Sequence, residues 1–134
     1  MPSYDYALVR AVHVPTGDAV TLGVVLSCRQ ARFLGVRWVE ADPGRLGLDA
    51  GLLARARSAF ARVAEGGPGA GPVGRLPPSE RFHFLTATRS TALQTSAVRT
   101  GLADDAEAAL DRIAGQIGPA LLRPPGTTGP ARRV

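Results

Sequence analysis

Three runs of β-branched and apolar residues, at positions 5–14, 19–28 and 32–39, are joined by connections of only a few residues. A parallel pair of strands needs a crossover of a dozen or more residues. The runs "DYALVRAVHV", "AVTLGVVLSC" and "RFLGVRWV" are therefore confined to an antiparallel meander. The first ends at "PTGD", a turn sequence. In the second, Val20, Leu22, Val24, Leu26 and Cys28 alternate onto one face. Gly23, inside that strand, marks a bulge or a close backbone approach. In the third, Leu34, Val36 and Trp38 share one face while Phe33, Gly35 and Arg37 share the other.

The pattern then turns helical. Leu52, Leu53, Ala56, Phe60, Val63 and Ala64 form one apolar stripe, with Arg55 and Arg62 opposite and Asp49 as the cap. The Gly/Pro run "EGGPGAGPVG" ends this helix. "PPSERFHFL" predicts a short helix with Ser79 as N-cap and Glu80 in its first turn. Residues 90–100, "STALQTSAVRT", read as a fourth strand. On it Gln94, Ser96 and Val98 share one face, and Thr91, Leu93, Thr95, Ala97 and Arg99 share the other. Asp104 and Glu107 have capping-box spacing, so Asp104 is expected to open a last helix. Its buried stripe is Ala106, Leu110, Ile113, Ala114 and Ile117.

The economical packing is a single α+β domain over residues 1–122, an antiparallel sheet of four strands with two main helices on one face. Leu22, Val24, Leu26, Leu34, Val36 and Trp38 would then meet Leu53, Phe60, Leu110 and Ile113. Residues 123–134, rich in Pro, Gly and Arg, read as a disordered tail.

Composition excludes several function classes. No apolar run approaches the roughly 20 residues of a membrane span, and the first residues lack the pattern of a secretory leader. A cytoplasmic location is the expectation. Cys28 is the only cysteine, so no internal disulfide forms. All sixteen cations are Arg. Without Lys there is no P-loop lysine, Schiff base or lysine general base. The net charge of +5 invites a nucleic-acid reading. Three arginines lie in the last twelve residues, however, leaving thirteen against eleven acids over residues 1–122. Nucleic-acid binding is the weaker alternative.

Positions 69–74, "GAGPVG", spell G-x-G-x-x-G. A dinucleotide fingerprint needs a strand before the glycines and a helix opening on them. Here a helix precedes, two prolines come after, and Pro72 removes a backbone donor. Glu80 and His83 have the spacing of half a di-iron site, but only one copy is present. No G-x-S-x-G elbow occurs, and Cys28 ends an apolar strand face where a thiol is inert core. The reading is therefore no metal, no cofactor and no assigned catalytic residue. The densest polar stretch supplies donors suited to anions or peptide backbone: Arg81, His83, Arg89, Ser90, Thr91, Gln94, Ser96 and Arg99. A binding role for these residues is the principal expectation. A small enzyme using His83 with Glu80, Arg81, Arg89 or Arg99 is the alternative.

"YDYALVRAV", "LGVVLSC", "RFLG", "GGPGAGPVGRLPPSERFHFLTATRST" and "TGLADDAEAALDRI" together resemble a family of small bacterial proteins known only as a domain of unknown function. The resemblance spans roughly residues 4–117. The family carries Trp where this chain has Phe84 and His where it has Arg99, so a histidine role does not carry over there. Genes of the family often lie beside those of kinases resembling the HipA toxin. The resemblance thus implies an accessory protein that binds or regulates such a kinase, and it carries over no catalytic residue.

Overall fold

A computed structural model describes residues 1–87 and 93–118. The tail at 123–134, and Arg89, Ser90 and Thr91, lie outside the described residues. Strands β1 (Ser3–His13), β2 (Asp18–Cys28) and β3 (Phe33–Trp38) form the expected antiparallel meander. Helix α1 (Ala50–Glu65) and α2 (Pro78–Ala87) come after it. Short strands β4 (Leu93–Thr95) and β5 (Arg99–Leu102) both pair antiparallel with β1, and α3 (Ala106–Ile117) comes next. The sheet order is β3-β2-β1-β4, with β5 beside the other end of β1. The chain is an α+β domain on a five-stranded antiparallel sheet.

The expected single strand over residues 90–100 is two strands. Thr95 opposes Val9 but Arg99 opposes Tyr6, so four steps on one side match three on β1. The break is held by Ser96, whose amide donates to the Leu8 carbonyl (2.9 Å) while its Oγ accepts from the Leu8 amide (2.9 Å). One extra residue reverses the facing of every later position on the strand. Arg99 consequently shares a face with Gln94 and not with Leu93 and Thr95.

A second irregularity reorganises the core. Val9 opposes Gly23, yet Arg10 opposes Thr21, leaving Leu22 as an extra residue on β2. Leu22 and Gly23 therefore face the same way, and the alternation resumes inverted. Leu22 packs in a cluster with Val25, Trp38, Leu53, Phe60, Phe82 and Leu85. Val24, Leu26 and Cys28 instead join Leu110, Ile113 and Ala114 on the opposite face. The two main helices do not share one face, as the unbroken alternation implied. Helices α1 and α2 cover one side, α3 the other, and both sides of β2 are buried. Gly23 is needed at the bulge, because a Cβ there would run into the Arg37 carbonyl and the Trp38 backbone.

Helix α3 is fixed to β3 from its polar flank. Arg37 Nε donates to Asp111 (2.7 Å) and its Nη2 to Glu107 (3.1 Å). The N-cap is Asp105, whose carboxylate accepts from the Ala108 amide (3.1 Å). Asp104 stands one residue too early, so the expected capping box does not form. Helix α2 likewise starts before its expected cap. Pro78 is its first residue and the Pro77 carbonyl accepts from the Arg81 amide (3.0 Å), which places Ser79 inside the first turn. Pro at the first helical position has no amide to leave unbonded.

Candidate functional site

Helix α1 forms as its stripe requires, with the Leu52 amide donating to Asp49 (2.9 Å). Leu53, Phe60 and Ala64 are buried against the sheet. The stripe is wider than this contact, however. Ala56, Ala59 and Val63 continue it around one flank of α1, where they meet Phe84 and Leu85 of α2 and Leu93 of β4. Between them lies an apolar groove of about 180 Å³. Phe84 stays 43% exposed at its rim, whereas Phe82, two residues earlier, is 2% exposed. Arg55 and Arg62 are exposed on the adjoining face of α1. Neither makes an ion pair among the described residues, where both salt bridges belong to Arg37.

Of the polar residues singled out in the sequence, the five that are described do not form one cluster. Arg81 serves the backbone: its Nη1 donates to the Leu76 carbonyl (2.7 Å) and its Nη2 reaches the Ala64 carbonyl at the end of α1 (3.5 Å). The guanidinium lies over Gly66, whose φ of 78° suits glycine there. His83 is exposed on α2, its ring 6.3 Å from that of Phe82. Gln94 sits opposite Arg10 in the sheet, and its neighbour Thr95 donates to the Thr86 carbonyl (3.2 Å). Ser96 is occupied by the strand break, and Arg99 is exposed on β5. Arg81 and His83 thus belong to the α1–α2 side and Arg99 to the α3 side, while Gln94, opposite Arg10, lines the end of the α1–α2 groove together with Leu93 and Thr95. Arg89, Ser90 and Thr91 fall outside the described residues.

The glycine run takes a form unlike a phosphate loop. It is a 3-10 segment over Pro68–Arg75, kinked at Gly71, between two helices. The Gly67 amide donates to the Gly74 carbonyl (3.0 Å), closing the segment on itself. Among the described residues no group of three His, Cys, Asp or Glu side chains is placed to hold a metal. None of the described helices is long and apolar enough to cross a membrane. Cys28 is buried with a free thiol.

The class defined by these features is a single α+β domain with helices on both faces of an antiparallel meander and an apolar groove between two of them. Residues 6–117 match the family DUF3037, described as a protein of unknown function, and the chain belongs to that family. No curated protein matches the chain, and no solved structure does.

Sequence reasoning misses the groove. The stripe on α1 counts Ala56 and Val63 as buried and omits Ala59, and the pattern around "ERFHF" gives Phe84 no role of its own. The available signal is the breadth of the stripe. Leu52, Ala56, Ala59 and Val63 repeat at helical spacing beside the Leu53–Phe60–Ala64 row, more apolar surface than one contact needs.

Proposed function

We propose that the protein is a non-enzymatic binding module whose α1–α2 groove receives an apolar side chain of a protein partner. The observation that carries this reading is Phe84, a large ring left 43% exposed at the rim of an apolar groove. A partly open aromatic beside a pocket is the usual form of an anchor site at a protein interface. Arg55 and Arg62 make no ion pair within 4 Å among the described residues and lie on the adjoining face, so carboxylates flanking the anchor complement them. The resemblance to proteins encoded beside HipA-like kinases makes such a kinase the partner to test first.

The test is calorimetric titration of the purified protein with the HipA-like kinase of its own genome. Ala59→Trp fills the groove from an exposed position, and Phe84→Ser removes the rim. Each is expected to weaken binding at least tenfold while leaving the thermal melt near that of the parent. Absence of binding, or binding indifferent to both substitutions, overturns the reading.

A further inference from the structure

Among the described strands β3 is an edge of the sheet, paired with β2 alone. Its backbone bonds alternate inward and outward. The Val39 amide donates inward to the Leu22 carbonyl (2.8 Å), and the Val36 carbonyl accepts from Arg37 Nη1 (3.1 Å). Phe33, Gly35 and Arg37 therefore bond β2, and Leu34, Val36 and Trp38 turn their amides and carbonyls outward. Apart from the Val36 carbonyl, no group among the described residues bonds them. Unlike many protected edges, β3 holds no Lys, Pro or bulge, and its one charge is held by α3.

Two further donors converge on this edge. The Cε3 side of the Trp38 indole lies 3.1 Å from where a Gly23 Cβ would stand. The opposite long side of the ring, which carries Nε1, is thereby turned away from β2, and Nε1 is itself buried. Trp38 is 4% exposed, and its Nε1 has no hydrogen-bond partner among the described residues. Arg57 projects from the flank of α1 opposite the groove, given 100° of rotation per residue. Its guanidinium carbon stands 5.9 Å from the centre of the Trp38 ring. Among the described residues its buried Nε has no hydrogen-bond partner and no carboxylate pairs with the guanidinium. Burial holds its pKa below the ordinary arginine value, with no compensating acid nearby. Buried donors almost always have acceptors, and these two lack one.

We infer that β3 takes on an extended segment of another protein as an additional antiparallel strand, and that an Asp or Glu of that segment lies over Trp38 and bonds Arg57 and Trp38 Nε1. Strand addition satisfies the outward amides and carbonyls. The carboxylate, on the α1 face, supplies the missing acceptor. A second copy of this chain does not fit the same role. Its own β3 reads Phe-Leu-Gly-Val-Arg-Trp, without an acid, and residues 119–134 contain no Asp or Glu. This surface lies across the sheet from the groove at β4 and stands whether or not the groove binds a kinase.

Selection from a displayed library of random octapeptides provides the test, followed by fluorescence-anisotropy titration of the enriched sequences. Enriched peptides are expected to carry an Asp or Glu among β-branched residues. Their affinity should fall at least tenfold with Val36→Pro, which removes one outward amide at a position an edge strand tolerates. It should fall as far with Arg57→Met. Because the guanidinium is uncompensated in the free protein, Arg57→Met should leave its melting temperature unchanged or raised, an outcome that a structural role does not give. Failure to enrich acidic peptides overturns the inference, as does a clear loss of stability in Arg57→Met. Self-association of the purified chain that Val36→Pro abolishes would make the occupant a second copy and also overturn it.

Discussion

Trp38 and Phe60 meet edge to face, their ring centroids 5.9 Å apart and their planes inclined by 68°. This contact joins β3 to α1 and lies at the centre of the larger core cluster. An inclined aromatic pair contributes beyond its buried area. Phe60→Ala is therefore expected to destabilise the domain by ~3–5 kcal/mol, through lost transfer energy and the cavity left behind. Urea melts measure it. A loss below about 1 kcal/mol would show that α1 does not pack through this ring.

The bulge on β2 gives a sharper contrast between two glycines. At Gly23 an added Cβ meets main-chain atoms, the Arg37 carbonyl and Trp38 Cα, which cannot move without breaking the β2–β3 pairing. At Gly35 it meets the ends of the Phe33 and Leu110 side chains, the nearest at 2.7 Å. Gly23→Ala is expected to cost ~1–3 kcal/mol or more, and Gly35→Ala distinctly less, since side-chain ends can shift. Equal losses in parallel denaturant melts would contradict the bulge.

Much of the architecture is legible because it depends on connection length and periodicity. The meander, the Asp49-capped helix and the final helix all come from those two signals. Which face each helix covers is not legible, for a reason located in single residues. One extra residue at Leu22 inverts every later position on β2, and three residues at Ser96–Val98 do the same before Arg99. Gly23 signals a bulge, but an alternation count cannot say whether a glycine inserts a residue or only admits a neighbour. The polar donors are legible as a set of residues and not as a place. Arg81 shows why, since carbonyls brought near it only by the turn after α1 determine what it bonds.

The helix caps separate neighbours that look interchangeable. Asp105→Ala should destabilise by ~1 kcal/mol as the Ala108 amide loses its acceptor. Asp104→Ala should stay within about 0.5 kcal/mol of the parent. At the other cap, hydrogen bonds from the Leu52 and Gly51 amides hold the Asp49 carboxyl below its ordinary value of 3.8. A folded-state pKa below the unfolded one gives stability present above the ordinary carboxyl range and lost as pH falls through the lowered value. The advantage of the parent over Asp49→Asn in urea melts should accordingly be largest near neutral pH and vanish on strong acidification. A difference that grows on acidification would reverse the sign and refute the assignment.

Arg81 and His83 are two residues apart on α2, and the structure gives them opposite roles in stability. The Arg81 guanidinium ties the Leu76 carbonyl, just before α2, to the end of α1 at Ala64. Removing it leaves carbonyls without a charged donor, and Arg81→Ala is expected to cost ~1.5–3 kcal/mol. Lysine, a point donor on a flexible stem, cannot span both carbonyls, so Arg81→Lys should recover only part of the loss. The His83 ring is exposed and its nitrogens make no hydrogen bond among the described residues; the one contact from a side chain, the Thr86 hydroxyl donating to the His83 carbonyl (3.3 Å), does not involve the imidazole. His83→Ala should leave stability within about 0.5 kcal/mol. Thermal and urea melts of the three variants decide the matter. Full stability in Arg81→Ala would free this arginine for a partner, whereas a large loss in His83→Ala would place that ring in the core.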